Sequence, residues 1–92
     1  MHDLELIEQI RQDKTRFGVL FDAYYVPIKK YVLRRTGDYH TANDIVSETF
    51  LKAFLAIDHF AWRGVPLKAW LYRIATNEVN QYFRRQTRYV PV

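Results

Sequence analysis

A chain of 92 residues with 49% hydrophobic and 16% aromatic side chains has the composition of one small globular domain, with too little length for a second core. It has no cysteine, which excludes disulfide frameworks, thiolate metal sites and cysteine nucleophiles and fits a reducing, cytoplasmic setting. The net charge of +4 is unevenly placed: residues 63–92 hold six basic side chains against Glu78 alone, whereas residues 1–62 hold eight basic and nine acidic ones, so the C-terminal third is suited to a polyanion and the remainder to protein.

No apolar run approaches the roughly 20 residues that cross a bilayer, and the start Met1-His2-Asp3-Leu4-Glu5 lacks a basic segment followed by an apolar one. Neither a membrane span nor a leader is expected. Four helical patterns account for nearly all of the chain, without repeats or strand signals. Asp3 is placed to cap a short first helix with Leu4, Ile7 and Ile10 on its inner face, ending near Asp13-Lys14. Thr15 is placed to cap a second helix in which Phe17, Leu20, Phe21, Tyr24, Ile28, Tyr31 and Val32 form one buried stripe. Pro27 cannot donate to the carbonyl of Ala23, which predicts a kink or a short break there, and Gly37 is suited to close the helix.

The third helix is predicted from about Thr41 to Ile57, with Ala42, Ile45, Val46, Thr49, Ala53 and Ile57 facing the core. A loop follows over Asp58–Pro66, with two aromatics inside it. The last helix is predicted from Leu67 to about Arg85, with Leu67, Leu71, Ile74, Ala75 and Tyr82 inward and Trp70, read as structural, at the edge of that face. The expected fold is all-α, a compact bundle of three long helices plus a short N-terminal one.

Catalytic chemistry finds no support. His2, His40 and His59 lack paired ligand spacing, and the chain has no Gly-rich phosphate loop, HExxH motif or nucleophile elbow. Asp44 and Glu48 lie one turn apart with no third ligand near in sequence. No catalytic residue, metal, cofactor or small-molecule substrate is expected.

Two outward stripes carry more information. On the third helix Asp44, Ser47, Glu48, Leu51 and Leu55 fall within about 100° of arc opposite the core side, where leucine offers burial and charge offers register to a partner. On the last helix Arg73, Asn77, Asn80 and Arg84 cluster within about 60° of arc, flanked by Thr76 and Gln81. Amides can read base edges and arginines neutralise phosphate, while Phe60, Trp62 and Tyr72 are of a type that stacks on unpaired bases. Two blander readings stand beside these: leucines scattered on a surface, and aromatics spent on the core.

The strings Arg34-Arg35-Thr36-Gly37-Asp38, Ala42-Asn43-Asp44-Ile45-Val46-Ser47-Glu48-Thr49-Phe50-Leu51-Lys52-Ala53 and Trp70-Leu71-Tyr72-Arg73-Ile74-Ala75-Thr76-Asn77, in this order, resemble region 2 of the extracytoplasmic-function sigma factors of bacterial RNA polymerase. The resemblance covers about residues 16–85. It implies a transcription initiation factor, in which the helix bearing Asp44, Ser47, Glu48 and Leu51 docks on the clamp helices of the largest catalytic subunit of the core enzyme. It also implies that the loop Phe60, Ala61, Trp62, Arg63, Gly64 and Val65 holds a base flipped from the non-template strand of the promoter −10 element. The last helix, through Arg73, Asn77, Asn80 and Arg84, would line that single strand. An anti-sigma factor is a further implied partner.

Ser47 stands where the family usually has glutamine, so a shorter polar contact is expected there. The family's second domain, a C-terminal helix-turn-helix that reads the −35 element, has no counterpart here, and residues 1–92 are expected to be a single region 2 domain taken from a longer factor. Two other functions stay open on sequence. One is a small helical protein-interaction adaptor without DNA activity, its basic segment merely solubilising. The other is a duplex reader, against which the loop of about nine residues counts, since helix-turn-helix pairs use a turn of three or four.

Overall fold

The computed structural model describes residues 3–60 and 63–88. Among them the elements are α1 (Asp3–Gln12), a 3-10 turn (Lys14–Arg16), α2 (Phe17–Thr36), α3 (Tyr39–Ala56), a second 3-10 turn (Ile57–His59) and α4 (Leu67–Arg88). The fold is all-α, three long helices and one short, as the sequence pattern predicts.

The caps differ in detail from the sequence expectation. Asp13, rather than Thr15, opens the segment before α2: its carboxylate accepts from the Thr15 N–H at 3.1 Å and the Thr15 hydroxyl at 2.7 Å. These bonds hold the Asp13 carboxyl below its ordinary value of 3.8. Asp38 caps α3 in the same way, accepting from the Thr41 N–H at 3.0 Å and the Thr41 hydroxyl at 2.6 Å, and its carboxyl is likewise lowered, by the hydroxyl bond first. Between α2 and α3, Gly37 sits at φ 71° and its N–H donates to the Leu33 carbonyl at 2.8 Å. A side chain would strain that left-handed cap.

Pro27 does not break α2, which runs as one helix across it. The cost of a proline in a helix interior, about 3 kcal/mol, is opposed by Leu20 before it and Ile28 and Val32 after it, all fully buried. Ala23 and Pro27 are exposed, so water can reach the carbonyl that proline leaves unpaired.

Side chains from all four helices and the second 3-10 turn form one core. Leu20, Ile28 and Val32 of α2 meet Ala42, Val46 and Ala53 of α3 and Leu71, Ala75 and Val79 of α4, with Ile7 and Ile10 of α1 and Ile57 closing one end. Thr49 is also fully buried, and its hydroxyl donates to the Ile45 carbonyl at 2.7 Å, which relieves the cost of a buried polar group. The predicted inner faces need corrections in α1, α2 and α4, and in α2 Tyr24 and Tyr31 of the predicted stripe are only half-buried. Leu6 rather than Leu4 is buried in α1, because the core lies on the side of Ile7 and Ile10 that Leu6 adjoins. In α4 Val79 is buried, while Ile74 and Tyr82 are only half-buried. Phe21 remains 38% exposed and packs at the surface against Tyr25 and Phe50.

Candidate nucleic-acid and protein interfaces

With Ala42, Ile45, Val46, Thr49 and Ala53 committed to the core, α3 must present its opposite side to solvent. Asp44, Ser47, Glu48, Leu51 and Leu55 are all exposed, Leu51 to 50% and Leu55 to 64%. Two leucines this open, next to two carboxylates, make an amphipathic face on a rigid element. Asp44 and Glu48 also line a hollow between α3 and α4 with Lys52, Glu78 and Arg85. Inside it Lys52 forms an ion pair with Glu78, which is only 9% exposed, and lies 4.0 Å from Glu48.

The same logic turns the ridge of α4 outward. Leu67, Leu71, Ala75 and Val79 are buried, and Arg73, Asn77, Asn80 and Arg84 are exposed on the far side, with Thr76 and Gln81 half-buried beside them. The structure adds residues from α2 that the periodicity of α4 alone did not suggest. Arg35 donates to the Tyr31 hydroxyl at 2.8 Å, and that hydroxyl lies 2.7 Å from the Thr76 hydroxyl. Arg35 also reaches the Asn80 side-chain oxygen at 3.5 Å. Because guanidinium can only donate, Asn80 turns its oxygen toward Arg35 and its NH2 group outward. At Asn80 it is thus the NH2 group that is left for a phosphate oxygen or a base acceptor. A sequence signal existed in Arg34-Arg35, which adds charge at the end of α2, but its distance from α4 in the fold was not readable.

The connection between α3 and α4 is described only in part. Ala61 and Trp62 lie outside the described residues. Arg63, Gly64 and Val65 are exposed, and Gly64 sits at φ 80°, a left-handed turn suited to glycine. Phe60 is half-buried and its ring rests on Trp70, centroids 4.6 Å apart, so it offers a base less surface than a free ring would. Trp70 is half-buried at the margin of the core, as expected of a structural residue. Tyr72 is half-buried edge-on to Tyr31 at 5.3 Å. With Pro66, Lys68 and Ala69 it lines a shallow, largely apolar hollow at the start of α4. The sequence reading had included Tyr72 but not those three neighbours. Among the described residues no group of histidine, aspartate or glutamate is arranged to hold a metal ion, and no helix is long and apolar enough to cross a membrane.

Comparison with known proteins gives this arrangement a context. The sigma-70 region 2 family matches residues 20–89. The ECF RNA polymerase sigma factor BldN of Streptomyces coelicolor is 38% identical over 82 residues, 88% of this chain and 31% of the relative. SigW, an ECF sigma factor of Bacillus subtilis, is 38% identical over 77% of this chain and 38% of its own length. The RNA polymerase sigma-H factor of Pseudomonas aeruginosa is 34% identical over 97% of this chain and 46% of its own length. The chain thus spans less than half the length of these curated relatives. An engineered region 2 of sigmaE, solved by NMR in complex with GTAAAA, superposes with a TM-score of 0.83 at 30% identity, covering 100% of this chain and 96% of that one. With its helices, their order and its sequence all matching, the chain belongs to the sigma-70 region 2 family, as a domain of the extracytoplasmic-function type of RNA polymerase sigma factor, a non-enzymatic class of transcription initiation factor.

Proposed function

We propose that residues 1–92 act as one region 2 unit that joins RNA polymerase core enzyme to promoter DNA and helps melt the −10 element. The observation that carries this reading is the pair of exposed faces on adjoining helices, one acidic and leucine-bearing on α3, one amide- and arginine-bearing on α4. In it, Asp44, Ser47, Glu48 and Leu51 meet the clamp helices of the largest catalytic subunit. The α3–α4 connection receives an unpaired non-template base, and Arg73, Asn77, Asn80 and Arg84 follow the strand. The likeness to a region 2 bound to GTAAAA supports the DNA half of the reading.

Magnitudes define the role. Opening duplex costs about 1.4 kcal/mol per base-pair step, so a bubble of some ten steps costs on the order of 14 kcal/mol, whereas one captured base returns roughly 1–3 kcal/mol. The domain therefore traps bases in a duplex that polymerase has already bent and positioned. It binds single strands weakly and with a strong salt dependence.

The test has two arms. Purified chain is mixed with bacterial core polymerase, and the double variant Asp44→Lys, Glu48→Lys should lose binding at nearly unchanged melting temperature, since exposed charges contribute little to folding. Core binding that survives the double change removes α3 from the interface. A randomised single-stranded DNA library is then selected with the chain. Asn77→Ala should relax preference at one position by roughly 1–3 kcal/mol, while Arg84→Ala should weaken all sequences alike. A uniform loss for Asn77→Ala would mean that α4 only tracks backbone. No binding to core or to DNA by the unaltered chain would favour the adaptor reading.

A further inference from the structure

The short helix α1 lies wholly before residue 20, where the family match begins, yet its polar side chains reach the two ends of the α3–α4 connection. Arg11 donates through Nε to the Ile57 carbonyl at 3.1 Å and through a terminal nitrogen to the Phe60 carbonyl. Just beyond α1, Lys14 pairs with Asp58. At the other end, the Asp3 carboxylate accepts from the Leu67 N–H at 2.9 Å, across 64 positions of sequence.

Two of these contacts, Asp3 with the Leu67 N–H and Arg11 with the Phe60 carbonyl, answer a need of the connection's own backbone, whereas the Ile57 carbonyl already accepts from the Phe60 N–H at 3.3 Å and gains a second donor. The last carbonyls of a helical segment lack partners and carry partial negative charge, and the first N–H groups carry partial positive charge. The residue before α4 is Pro66, which has no side-chain oxygen to cap that helix, so an aspartate from α1 takes the place of a local cap. Arg11 serves the carbonyls at the opposite end. One helix thus carries a cation for the end of α3 and its 3-10 turn and an anion for the start of α4. Its eight-residue spacing between Asp3 and Arg11 corresponds to roughly 12 Å of helix, while Ile7 and Ile10, buried in the common core, anchor the span between them.

We infer that α1 is a brace which sets the separation and angle of the two ends of the α3–α4 connection, with Asp3 and Arg11 as positioning residues for base capture there. This rests on the proposed −10 reading in one respect only: what the braced segment holds. The two ends, at Phe60 and Leu67, are tied to α1 before DNA arrives, so the cost of placing those ends is met during folding rather than on binding.

The experiment combines amide hydrogen exchange with the single-stranded library selection, on the full chain and on Asp3→Ala, Asp3→Asn and Arg11→Met. In Asp3→Ala the Leu67 amide should exchange faster by roughly fivefold, as for a lost helix cap, while the amides of Leu71, Val46 and Val79 keep their protection. Preference at the captured-base position should fall with it. Asp3→Asn, which keeps an acceptor at the cap, should restore both, and Arg11→Met should loosen the Phe60 end with the same loss of preference. Unchanged exchange at Leu67 would overturn the brace. Acceleration of all amides together would reduce α1 to general stability and also overturn it. Local acceleration with base preference intact at every position would show that the brace positions nothing that DNA uses. If the unaltered chain enriches no base at all, the capture reading fails, and the exchange measurements alone decide whether α1 braces the connection.

Discussion

The interior where α2, α3 and α4 meet is apolar, with Leu20, Ile28, Val32, Val46, Leu71, Ala75 and Val79 essentially unexposed, and the polar bonds between these helices, Tyr31 with Thr76, Arg35 with Asn80 and Lys52 with Glu78, lie at its edges. At the corner where α1 meets the α3–α4 connection, a few apolar contacts are joined by directional ones from Asp3, Arg11 and Lys14 to backbone and carboxylate groups far away in sequence. The two regions are stabilised differently. Apolar burial is non-directional and contributes about 25 cal/mol per Å², so it sets that the helices pack. Hydrogen bonds contribute about 1 kcal/mol each but only in one geometry, so they set where a particular loop end lies. The two proposed surfaces inherit this difference: the α3 and α4 faces are rigid because the interior is, while the connection depends on the corner.

The largest expected effect tests the interior. Leu71→Ala, at a fully buried position, should cost about 2–5 kcal/mol, a large share of what a domain this small has, seen as a lower urea midpoint with an unchanged slope. Trp70→Ala removes a larger side chain but a half-buried one whose ring partner is Phe60, and should cost roughly half as much. Equal losses would mean that the Phe60–Trp70 pair belongs to the interior after all, and the contrast between the two regions would disappear.

A smaller effect sharpens the contrast at its exception. Glu78 is a carboxylate at the edge of the apolar interior, 9% exposed and paired with Lys52. Lys52→Met should leave that charge nearly buried without a partner, at about 1–2 kcal/mol after allowing for the solvent that reaches the lysine. Combining it with Glu78→Leu should recover most of the loss, since removing both members of a pair costs less than removing one. A double variant no better than Lys52→Met alone would show that Glu78 has a second role.

The helices of the interior were legible because their periodicity has one dominant cause, and Ala42, Ile45, Val46, Thr49, Ala53 and Ile57 of the α3 segment fall where the spacing puts them. The exposure of the α3 and α4 stripes followed from the same pattern. Of the kink or break expected at Pro27, the break is absent, because the burial of Leu20, Ile28 and Val32 on both sides of it outweighs local propensity. The roles of Asp3 and Arg35 could not be read, since each depends on a partner 64 or 45 positions away, and nothing in a short-range pattern selects that partner. Asp3 looked like a cap for its own helix, and it caps α4 instead.

The smallest effect concerns acid, and it separates caps from ion pairs. Asp13 and Asp38 are held below the ordinary 3.8 by bonds from Thr15 and Thr41, and Asp58 chiefly by the hydrogen bond from Lys14. A carboxyl lowered in the folded state contributes stability that is complete above the unfolded value. That contribution is lost as pH falls through the lower folded value. Melting temperature should therefore be flat above about pH 5 with respect to these groups and decline below about pH 4. Asp38→Asn keeps an acceptor on the cap of α3 but does not ionise, so its decline should be shallower than that of the unaltered chain, and the difference should persist in high salt because it rests on direct hydrogen bonds. Lys14→Met instead leaves Asp58 without the cation at the corner. Its effect should be modest at low ionic strength and should fade as salt is raised, because Lys14 and Asp58 lie at the surface and a surface ion pair is screened. Melting curves across pH at two salt concentrations distinguish the cases. A Lys14→Met difference that survives high salt would mean that the corner is held by more than a screened pair there, which moves it closer in kind to the interior.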